Sequence, residues 1–386
     1  ALMGLSFSAI PFRAKSSFPK WLWYAAMLAL VIPVYLGHFP PAFVASIRYG
    51  IYAFSACAYA LLALKIYFCD GHTVRELLGI TGILFLIAIG TIVSRNRCFL
   101  SCFLLVFSAK DIDFGKLCRI CFGFFLFTLL LNFLLVAVGV LEDTVFTRWE
   151  VINHGAARHS LGFGHPNNFG FWTLLVIFSG LLSYAKTGRR MLPGVVAIGC
   201  SLCFFQVSDS KAALLASCAA AVLCILFYWI GPWLSSKKWG VPLFLGLFTL
   251  GIAAFLILTL LYREERSFFS LCNRLFSDRL AYSHAGFRDF GPSLFGARVN
   301  FRWDPVDSLY AYAPICMGVI PSLLFFGLNL AALYRASKAG RWDIVAVAFA
   351  GLLYSTMEYG LMNPVHLPLY ALTTRLDAES SQKPSV

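Results

Sequence analysis

Residues 241–262 read VPLFLGLFTLGIAAFLILTLLY, a run of 22 residues that contains no charged side chain. A helix needs roughly 20 apolar residues to cross a hydrocarbon layer about 30 Å thick, so this run predicts a membrane span. The rest of the chain has the same character, because 60% of its residues are hydrophobic and 13% are charged, against about 25% charged in soluble domains. The sequence therefore predicts an integral membrane protein.

Eleven further apolar runs surround this one, near residues 21–37, 49–68, 77–93, 98–109, 119–141, 169–185, 191–207, 212–233, 309–334, 344–362 and 364–374. Together they predict an all-α polytopic membrane protein with about 12 transmembrane helices. The runs at 98–109 and 364–374 are short for a full crossing, which indicates tilted, re-entrant or truncated helices. We interpret residues 1–386 as a single integral membrane domain, with the first run as an anchor and the polar tail 377–386 as disordered.

The net charge of +13 would suit a nucleic-acid partner, but most basic residues lie in short connections between apolar runs. Such a distribution anchors membrane topology and argues against nucleic-acid binding. With the N-terminus inside, the cytoplasmic basic residues are Arg13, Lys15, Lys20, Lys110, Lys116, Arg119, Lys186, Arg189, Arg190, Lys237, Lys238, Arg335, Lys338 and Arg341. Two longer segments, 142–168 and 263–308, then face outward and depart from this pattern, because they also carry basic residues.

The outer segment 263–308 contains arginine but no lysine: Arg263, Arg266, Arg274, Arg279, Arg288, Arg298 and Arg302. A planar guanidinium holds two oxygens of a phosphate or carboxylate and stays charged when partly desolvated, so this loop predicts an anion site. Pairing with acidic residues of the same loop is the alternative for several of these arginines. Phe268, Leu271, Cys272 and Leu275 have the spacing of a short amphipathic helix that lies on the membrane surface.

Residues 158–168 read RHSLGFGHPNN and lead directly into an apolar run. The glycines permit positive φ and close backbone approach, and the proline suits the first turn of a helix whose free N–H groups can receive an anion. Arg158 supplies a permanent charge and His165 a group that moves protons near neutral pH. Asn167 or Asn168 can orient a sugar hydroxyl or cap the helix. A capped turn with a buried histidine is the alternative interpretation.

Other polar residues lie at the outer ends of apolar runs. Lys211, beside Asp209, is expected to add positive charge to the outer cavity, with a polar hairpin as the alternative. Asp307 lies where the long loop re-enters the membrane, and it either pairs with an arginine or accepts a proton from an attacking hydroxyl if burial raises its pKa. Glu358 raises the same question near the end of the eleventh run.

Several familiar catalytic patterns are missing from the sequence. The chain contains no HExxH, GxSxG or P-loop pattern and no dense carboxylate cluster. Their absence favours a metal-independent reaction that uses no cofactor. The CxxC pairs Cys118/Cys121 and Cys200/Cys203 lie in apolar runs, and we interpret them as packing residues rather than metal ligands.

These segments, in this order, resemble the motifs of Wzy-type polysaccharide polymerases, which belong to the O-antigen polymerase and ligase superfamily. RHSLGFGHPNNFG at 158–170 is similar to the family's Arg-x-Ser-x-Gly-Phe-x-His-Pro-Asn segment, and SDSKAALLA at 208–216 to its polar-basic start of a helix. The long loop resembles the family's Ser-x-Arg, Leu-Phe-Gly and Asp-Asn-x-Tyr…Gly series through Ser277-Asp278-Arg279, Leu294-Phe295-Gly296 and Asp307-Ser308-Leu309-Tyr310 before Gly318. The chain departs from the family at Lys211 and Ser308, where arginine and asparagine are commoner.

The resemblance implies a GT-C-like enzyme of the bacterial cytoplasmic membrane with its active site on the periplasmic side. The outer segments 142–168 and 263–308 would then be its catalytic loops. Its substrates would be oligosaccharide repeat units on undecaprenyl diphosphate, and the diphosphate leaves when an acceptor hydroxyl attacks the anomeric carbon. The implied diphosphate ligands are Arg158, Lys211 and Arg279, to which we add Arg288. Asp307 is the expected base, and His165 is the competing candidate. The residues expected to contact the acceptor sugar are Asn167, Asn168, Tyr310 and Glu358.

Two other functions fit the same pattern. A ligase that transfers finished glycan to a different acceptor would need the same diphosphate site. A flippase or transporter of lipid-linked glycans would also need many spans and an anion site, although transporters place polar binding groups near the membrane midplane. The expected partners are the lipid bilayer, the lipid-linked oligosaccharide, a chain-length regulator and a repeat-unit flippase.

Overall fold

A computed structural model of the chain describes residues 18–147, 157–184, 191–299 and 306–376. This part of the chain is mostly helical, as the apolar runs predict. Arg302 and the tail 377–386 lie outside the described residues, so the disorder expected of the tail stays a prediction.

Fifteen α-helices occur in the described residues: α1 (Phe18–Leu36), α2 (Pro41–Leu64), α3 (Val74–Ser94), α4 (Cys98–Phe107), α5 (Phe114–Ala137), α6 (Pro166–Tyr184), α7 (Met191–Ser208), α8 (Lys211–Ser236), α9 (Gly240–Leu260), α10 (Ser267–Leu275), α11 (Arg279–Asp289), α12 (Leu309–Tyr312), α13 (Val319–Lys338), α14 (Trp342–Met357) and α15 (Leu367–Tyr370). π-Helical turns follow α2 over Lys65–Cys69 and α12 over Ala313–Met317, and a 3-10 turn covers Gly360–Met362. Strands β1 (Val145–Thr147) and β2 (Ala157–His159) form an antiparallel hairpin between α5 and α6.

Seven helices of the described chain are long and apolar enough to cross a membrane: Pro41–Cys69, Val74–Ser94, Phe114–Ala137, Met191–Ser208, Lys211–Ser236, Gly240–Leu260 and Val319–Lys338. Three shorter apolar helices accompany them over Lys20–Leu36, Cys98–Phe107 and Trp342–Met357. The multi-pass membrane character is thus supported by helix length and composition. Twelve crossings and a GT-C-like arrangement stay predictions.

Helix α6 forms the centre of the bundle and is buried along nearly its whole length. Helices α5, α7, α8 and α14 pack around it. The ring of Trp172 lies 5.1 Å from that of Tyr35 and 5.5 Å from that of Phe125, both in edge-to-face geometry. Such aromatic packing holds the start of α6 rigidly, and the start of α6 carries the motif RHSLGFGHPNN.

The last apolar run, 364–374, which the sequence predicts to be a tilted, re-entrant or truncated helix, contains one helical turn rather than a helix of full crossing length. After α14 the chain follows an irregular, buried path whose longest helix is the single turn α15. It ends where the backbone of Arg375 forms an isolated parallel β-bridge with that of Asp113, at the start of α5. The Arg335 guanidinium donates to the carbonyls of Leu372 and Thr374 on the way. Irregular backbone at membrane depth is tolerated when protein groups satisfy its carbonyls in this manner.

The amphipathic helix expected in the long loop is confirmed as α10. It begins seven residues after α9 ends, and its apolar side chains Phe268, Leu271 and Leu275 are exposed. The Asn273 side chain donates to Asp278 Oδ1 at 2.9 Å and accepts from the Ala281 N–H at 3.0 Å. These two bonds fix α10 to the start of α11.

Candidate functional site

A cleft of about 300 Å³ opens at the end of the bundle that carries the β-hairpin. Loops from both predicted catalytic segments and the end of α14 meet there. Of the side chains selected from the sequence, the cleft is lined by Arg158, His165, Asn167, Lys211, Arg279, Asp307 and Glu358. Residues separated by as many as 200 positions, from Arg158 to Glu358, therefore share one cavity.

Arg158 reaches the cleft from β2 and is 8% exposed. Its Nε donates to the Ser208 carbonyl at 3.1 Å, and Nη2 donates to Asn167 Oδ1 at 2.7 Å. The hairpin is closed by Asp143, whose carboxylate lies 2.6 Å from His159 Nδ1 and accepts from the Leu161 N–H at 2.8 Å. Arg158 is thus held by backbone and side-chain contacts that fix the direction of its fork.

The turn between β2 and α6 fits the expectation drawn from its glycines. Leu161 and Gly162 have positive φ, at 47° and 84°. The Gly164 N–H donates to the His38 carbonyl at 2.7 Å, and a Cβ at Gly164 would lie 3.1 Å from the Phe39 carbonyl oxygen. A side chain at this glycine would therefore press against the connection between α1 and α2. Pro166 is the first residue of α6, which is where proline is favoured.

His165 lies in the cleft as an uncharged ring at neutral pH. Burial lowers its pKa to about 4, and the positive charges of Arg158 and Arg279 act in the same direction. Its Nδ1 accepts from the Asn167 N–H at 3.1 Å, which in a neutral imidazole places the proton on Nε2. A ring of this kind is suited to donating a hydrogen bond through Nε2, and its low pKa makes it a weak base.

Arg279 is the first residue of α11 and contacts four groups. Its Nε donates to the Met357 carbonyl at 3.1 Å and Nη1 to the Ser277 carbonyl at 3.2 Å. Its Nη2 lies 2.9 Å from Asp307 Oδ2 and 3.4 Å from Glu358 Oε1. One guanidinium nitrogen therefore lies within salt-bridge distance of two carboxylates.

The turn before Arg279 has an unusual backbone. Ser277 and Asp278 have φ values of 50° and 65°, in the left-handed region. Asp209, across the cleft, has a φ of 46°. Left-handed residues other than glycine are uncommon, and they concentrate at functional sites where the surrounding structure enforces them.

Both carboxylates have a raised pKa. Burial raises the pKa of Glu358, and the negative charge of Asp307 raises it further, while Arg279 opposes the change. Burial likewise raises the pKa of Asp307 against the effect of Arg279. Glu358 Oε1 also accepts from Asn167 Nδ2 at 2.8 Å. A continuous polar chain thus runs from Arg158 through Asn167, Glu358 and Arg279 to Asp307.

Three residues selected from the sequence do not line the cleft. Arg288 is exposed and pairs with Asp289, with Nε 2.7 Å from Oδ1, so it does not join the other predicted diphosphate ligands, and its role as a ligand stays a prediction. Arg288 follows Arg279 by nine residues, and nine steps of about 100° place the two on opposite faces of α11. Asn168 donates to the His38 carbonyl at 3.2 Å, and the buried Tyr310 donates to the Leu352 carbonyl at 3.0 Å. Both are thus bound into the bundle rather than directed at a sugar.

Sequence reasoning gave no role to five other lining residues: Ser210, Ala212 and Ser277, which lie within the quoted motifs, and Tyr282 and Met357, which do not. Tyr282 had a detectable signal, because it follows Arg279 by three residues and helical side chains at that spacing share a face. Ser210 carried no such signal. It lies against Gly170 of α6, where a Cβ would collide with the serine side chain.

Within the described residues, no group of three or more His, Cys, Asp or Glu side chains could hold a metal ion. The metal-independent reaction stays a prediction. Comparison of the chain with models of known protein families, with curated proteins and with solved structures finds no match. The resemblance to polysaccharide polymerases therefore rests on the sequence motifs, several of whose polar residues line one cleft.

Proposed function

We propose that this chain is a glycosyltransferase that polymerises oligosaccharide repeat units carried on undecaprenyl diphosphate. The observation that supports the proposal most directly is the composition of the cleft. Arg158, Lys211 and Arg279 line the same 300 Å³ as Asp307 and Glu358. Cations suit a diphosphate leaving group, and a carboxylate suits the proton of an attacking hydroxyl.

The charges are arranged for a reaction in which negative charge grows on a leaving oxygen. Each arginine is held by carbonyl contacts, Arg158 by Ser208 and Arg279 by Met357 and Ser277. Cations fixed before the reaction stabilise developing charge without having to reorganise during it. The acceptor hydroxyl would attack the anomeric carbon while Asp307 takes its proton and the lipid diphosphate departs.

The location of the cleft supports a substrate that stays anchored in a membrane. It lies at one end of a bundle in which seven helices of the described residues are long and apolar enough to cross a bilayer. The distribution of basic residues favours the outer face of the membrane for this end, and the resemblance favours the bacterial cytoplasmic membrane. The charged residues cluster at the bundle end rather than at mid-membrane depth, which favours an enzyme over a transporter.

The proposal is tested with purified protein in proteoliposomes that contain the purified lipid-linked repeat unit of the source organism. We expect a ladder of lipid-linked multimers that forms equally well in EDTA. Transfer of glycan to a different acceptor without a ladder would indicate the ligase. Movement of the intact lipid-linked unit across the bilayer, with no new glycosidic bond, would contradict the enzyme and indicate a transporter.

A further inference from the structure

Asp307 and Glu358 share their principal positive partner. Arg279 Nη2 lies 2.9 Å from Asp307 Oδ2 and 3.4 Å from Glu358 Oε1. The three side chains are largely buried, with exposed fractions of 17% for Arg279, 20% for Asp307 and 15% for Glu358. The charge of each carboxylate is therefore balanced mainly by a cation that the other also needs.

A diphosphate in the cleft competes for that cation. The diester that links a lipid to a sugar carries two negative charges, and an arginine fork binds phosphate oxygens as readily as carboxylate oxygens. When Arg279 turns toward the diphosphate, two buried carboxylates remain beside each other and beside a new anion. Like charges in such a site cannot both stay ionised, so one carboxyl group binds a proton.

We propose that Asp307 and Glu358 form a one-proton carboxylate pair that takes up its proton when a diphosphate enters the cleft and draws Arg279 away. The ligand class rests on the proposed function; the pairing rests on the contacts of Arg279. One member of the pair becomes neutral, and the other stays ionised and is released from its cation. Ligand binding thereby creates a free base at the moment it is needed.

The reaction then balances in protons and electrons. The acceptor hydroxyl gives its proton to the ionised carboxylate, and its oxygen forms a bond to the anomeric carbon. The bond between that carbon and the diphosphate oxygen breaks, and its electron pair leaves with the lipid diphosphate. When the lipid diphosphate departs, Arg279 returns and the pair releases the protons it holds.

The groups around the pair are consistent with this cycle. Those facing it across the cleft are Arg158, His165, Asp209, Lys211, Arg279 and Tyr282, and Tyr354 and Tyr359 face it from α14 and the residue after Glu358. Before the diphosphate binds, His165 is uncharged near neutral pH, because burial lowers its pKa to about 4. Proton uptake by His165 on binding would persist in both Glu358→Gln and Asp307→Asn, so these variants separate it from uptake by the carboxylate pair. Burial already raises the pKa of both carboxyl groups with Arg279 in contact, so its withdrawal acts in the same direction.

The test measures proton uptake rather than glycan synthesis. Purified protein in detergent is titrated with a diphosphate diester that carries one isoprenyl and one methyl group. This probe keeps two charges throughout the neutral range and has no proton of its own to exchange. Calorimetry near neutral pH in two non-phosphate buffers of different ionisation enthalpy then gives the protons taken up per ligand bound.

We expect the wild-type protein to take up at most one proton per bound diester, as a like-charge pair requires. The uptake should be larger at pH 8 than at pH 7, because burial already raises the pKa of Glu358 before the ligand binds. Glu358→Gln and Asp307→Asn should each bind the diester and take up almost none. Asp289→Asn removes a carboxylate that is paired with Arg288 outside the cleft, and it should behave as the wild type.

Binding by the wild type without proton uptake, or equal uptake by Glu358→Gln and the wild type, would overturn the carboxylate pair and leave the diphosphate site intact. Failure of folded wild-type protein to bind the diester would contradict the proposed function as well. Thermal unfolding of each variant establishes that it is folded. If one of the two cleft variants does not fold, the other decides the outcome.

Discussion

Two clusters of buried charged residues lie at opposite ends of the bundle. They differ in how exposed they are and in whether the cation has all its donors used by the protein. Away from the cleft, the Lys65 ammonium contacts Asp70 and donates to the Ser108 carbonyl at 2.6 Å and the Lys110 carbonyl at 3.4 Å. Its side chain is 2% exposed and that of Asp70 is 3% exposed. An ammonium has three N–H donors, and three acceptors surround this one.

The cluster in the cleft also combines a cation with carboxylates, but its side chains are partly exposed and line a cavity. Arg279, Asp307 and Glu358 are 15% to 20% exposed, and together they line a cavity of about 300 Å³. The Lys65 ammonium has no donor left for a ligand, whereas the arginine of an open cluster can exchange one partner for another. Burial of charge therefore indicates stability at Lys65 and function at Arg279.

The largest expected effect that tests the contrast between the two clusters is at Asp307. Asp307→Asn keeps the shape and removes the base, and loss of a general base lowers a rate by about 10² to 10⁴-fold. The base acts in its ionised form and burial raises its pKa, so the wild-type rate should fall with decreasing pH at a pH above the ordinary aspartate value of about 3.9. The measurement is a pH–rate profile of polymer formation. A variant with the wild-type rate and the same acidic limb would remove Asp307 from the mechanism.

The second test concerns Arg279, the cation of the cleft cluster. Arg279→Ala should lower the polymerisation rate by about 10² to 10³-fold, which is the usual cost of one stabilising donor in a transition state. Arg279→Lys keeps the charge but loses the planar fork, so it should fall between alanine and wild type. Initial rates in proteoliposomes and the accumulation of single repeat units measure the effect. Wild-type polymer length from Arg279→Ala would contradict the site.

The third test addresses the closed pair, whose role we expect to be structural. Lys65→Ala leaves Asp70 buried without its cation, and loss of one member of a buried pair costs about 3 to 5 kcal/mol of stability. The double variant Lys65→Met with Asp70→Leu should recover most of that loss, because apolar side chains often replace a buried pair at little cost. Tryptophan fluorescence during thermal unfolding measures both. A double variant as unstable as the single one would show that the charges matter individually.

Much of the fold could be predicted from the sequence, because membrane spans depend on apolar length alone. The sequence could not show that the last run is irregular. Residues 364–374 are apolar enough to be helical, but their path is determined by contacts that form only in the folded bundle. Arg335 binds the carbonyls of Leu372 and Thr374, and the Tyr370 hydroxyl donates to the Pro364 carbonyl at 2.8 Å.

The site was predictable to the extent that each residue belonged to a motif. Charged side chains at the ends of apolar runs are unfavourable unless they have a partner or a function. This rule selected Arg158, Lys211, Arg279 and Asp307. The link between Asn167 and Glu358 could not be inferred, because it joins α6 to the end of α14 across 191 positions. Tertiary packing determines that Asp307 and Glu358 share Arg279, and no local sequence pattern indicates this contact.

The smallest expected effect is at Arg288, and it tests whether the position on α11 matters or only the charge. Arg288 and Arg279 lie on the same helix, but Arg288 pairs with the exposed Asp289 and its own side chain is 68% exposed. Exposed pairs contribute about 0 to 1 kcal/mol, so Arg288→Ala should change neither the polymerisation rate nor the unfolding temperature by a measurable amount. Assayed beside Arg279→Ala, it removes the same charge from the opposite face of α11. A large loss of rate in both would mean that the whole arginine-rich loop attracts the substrate by net charge, and the fixed contacts of Arg279 would then lose their special role.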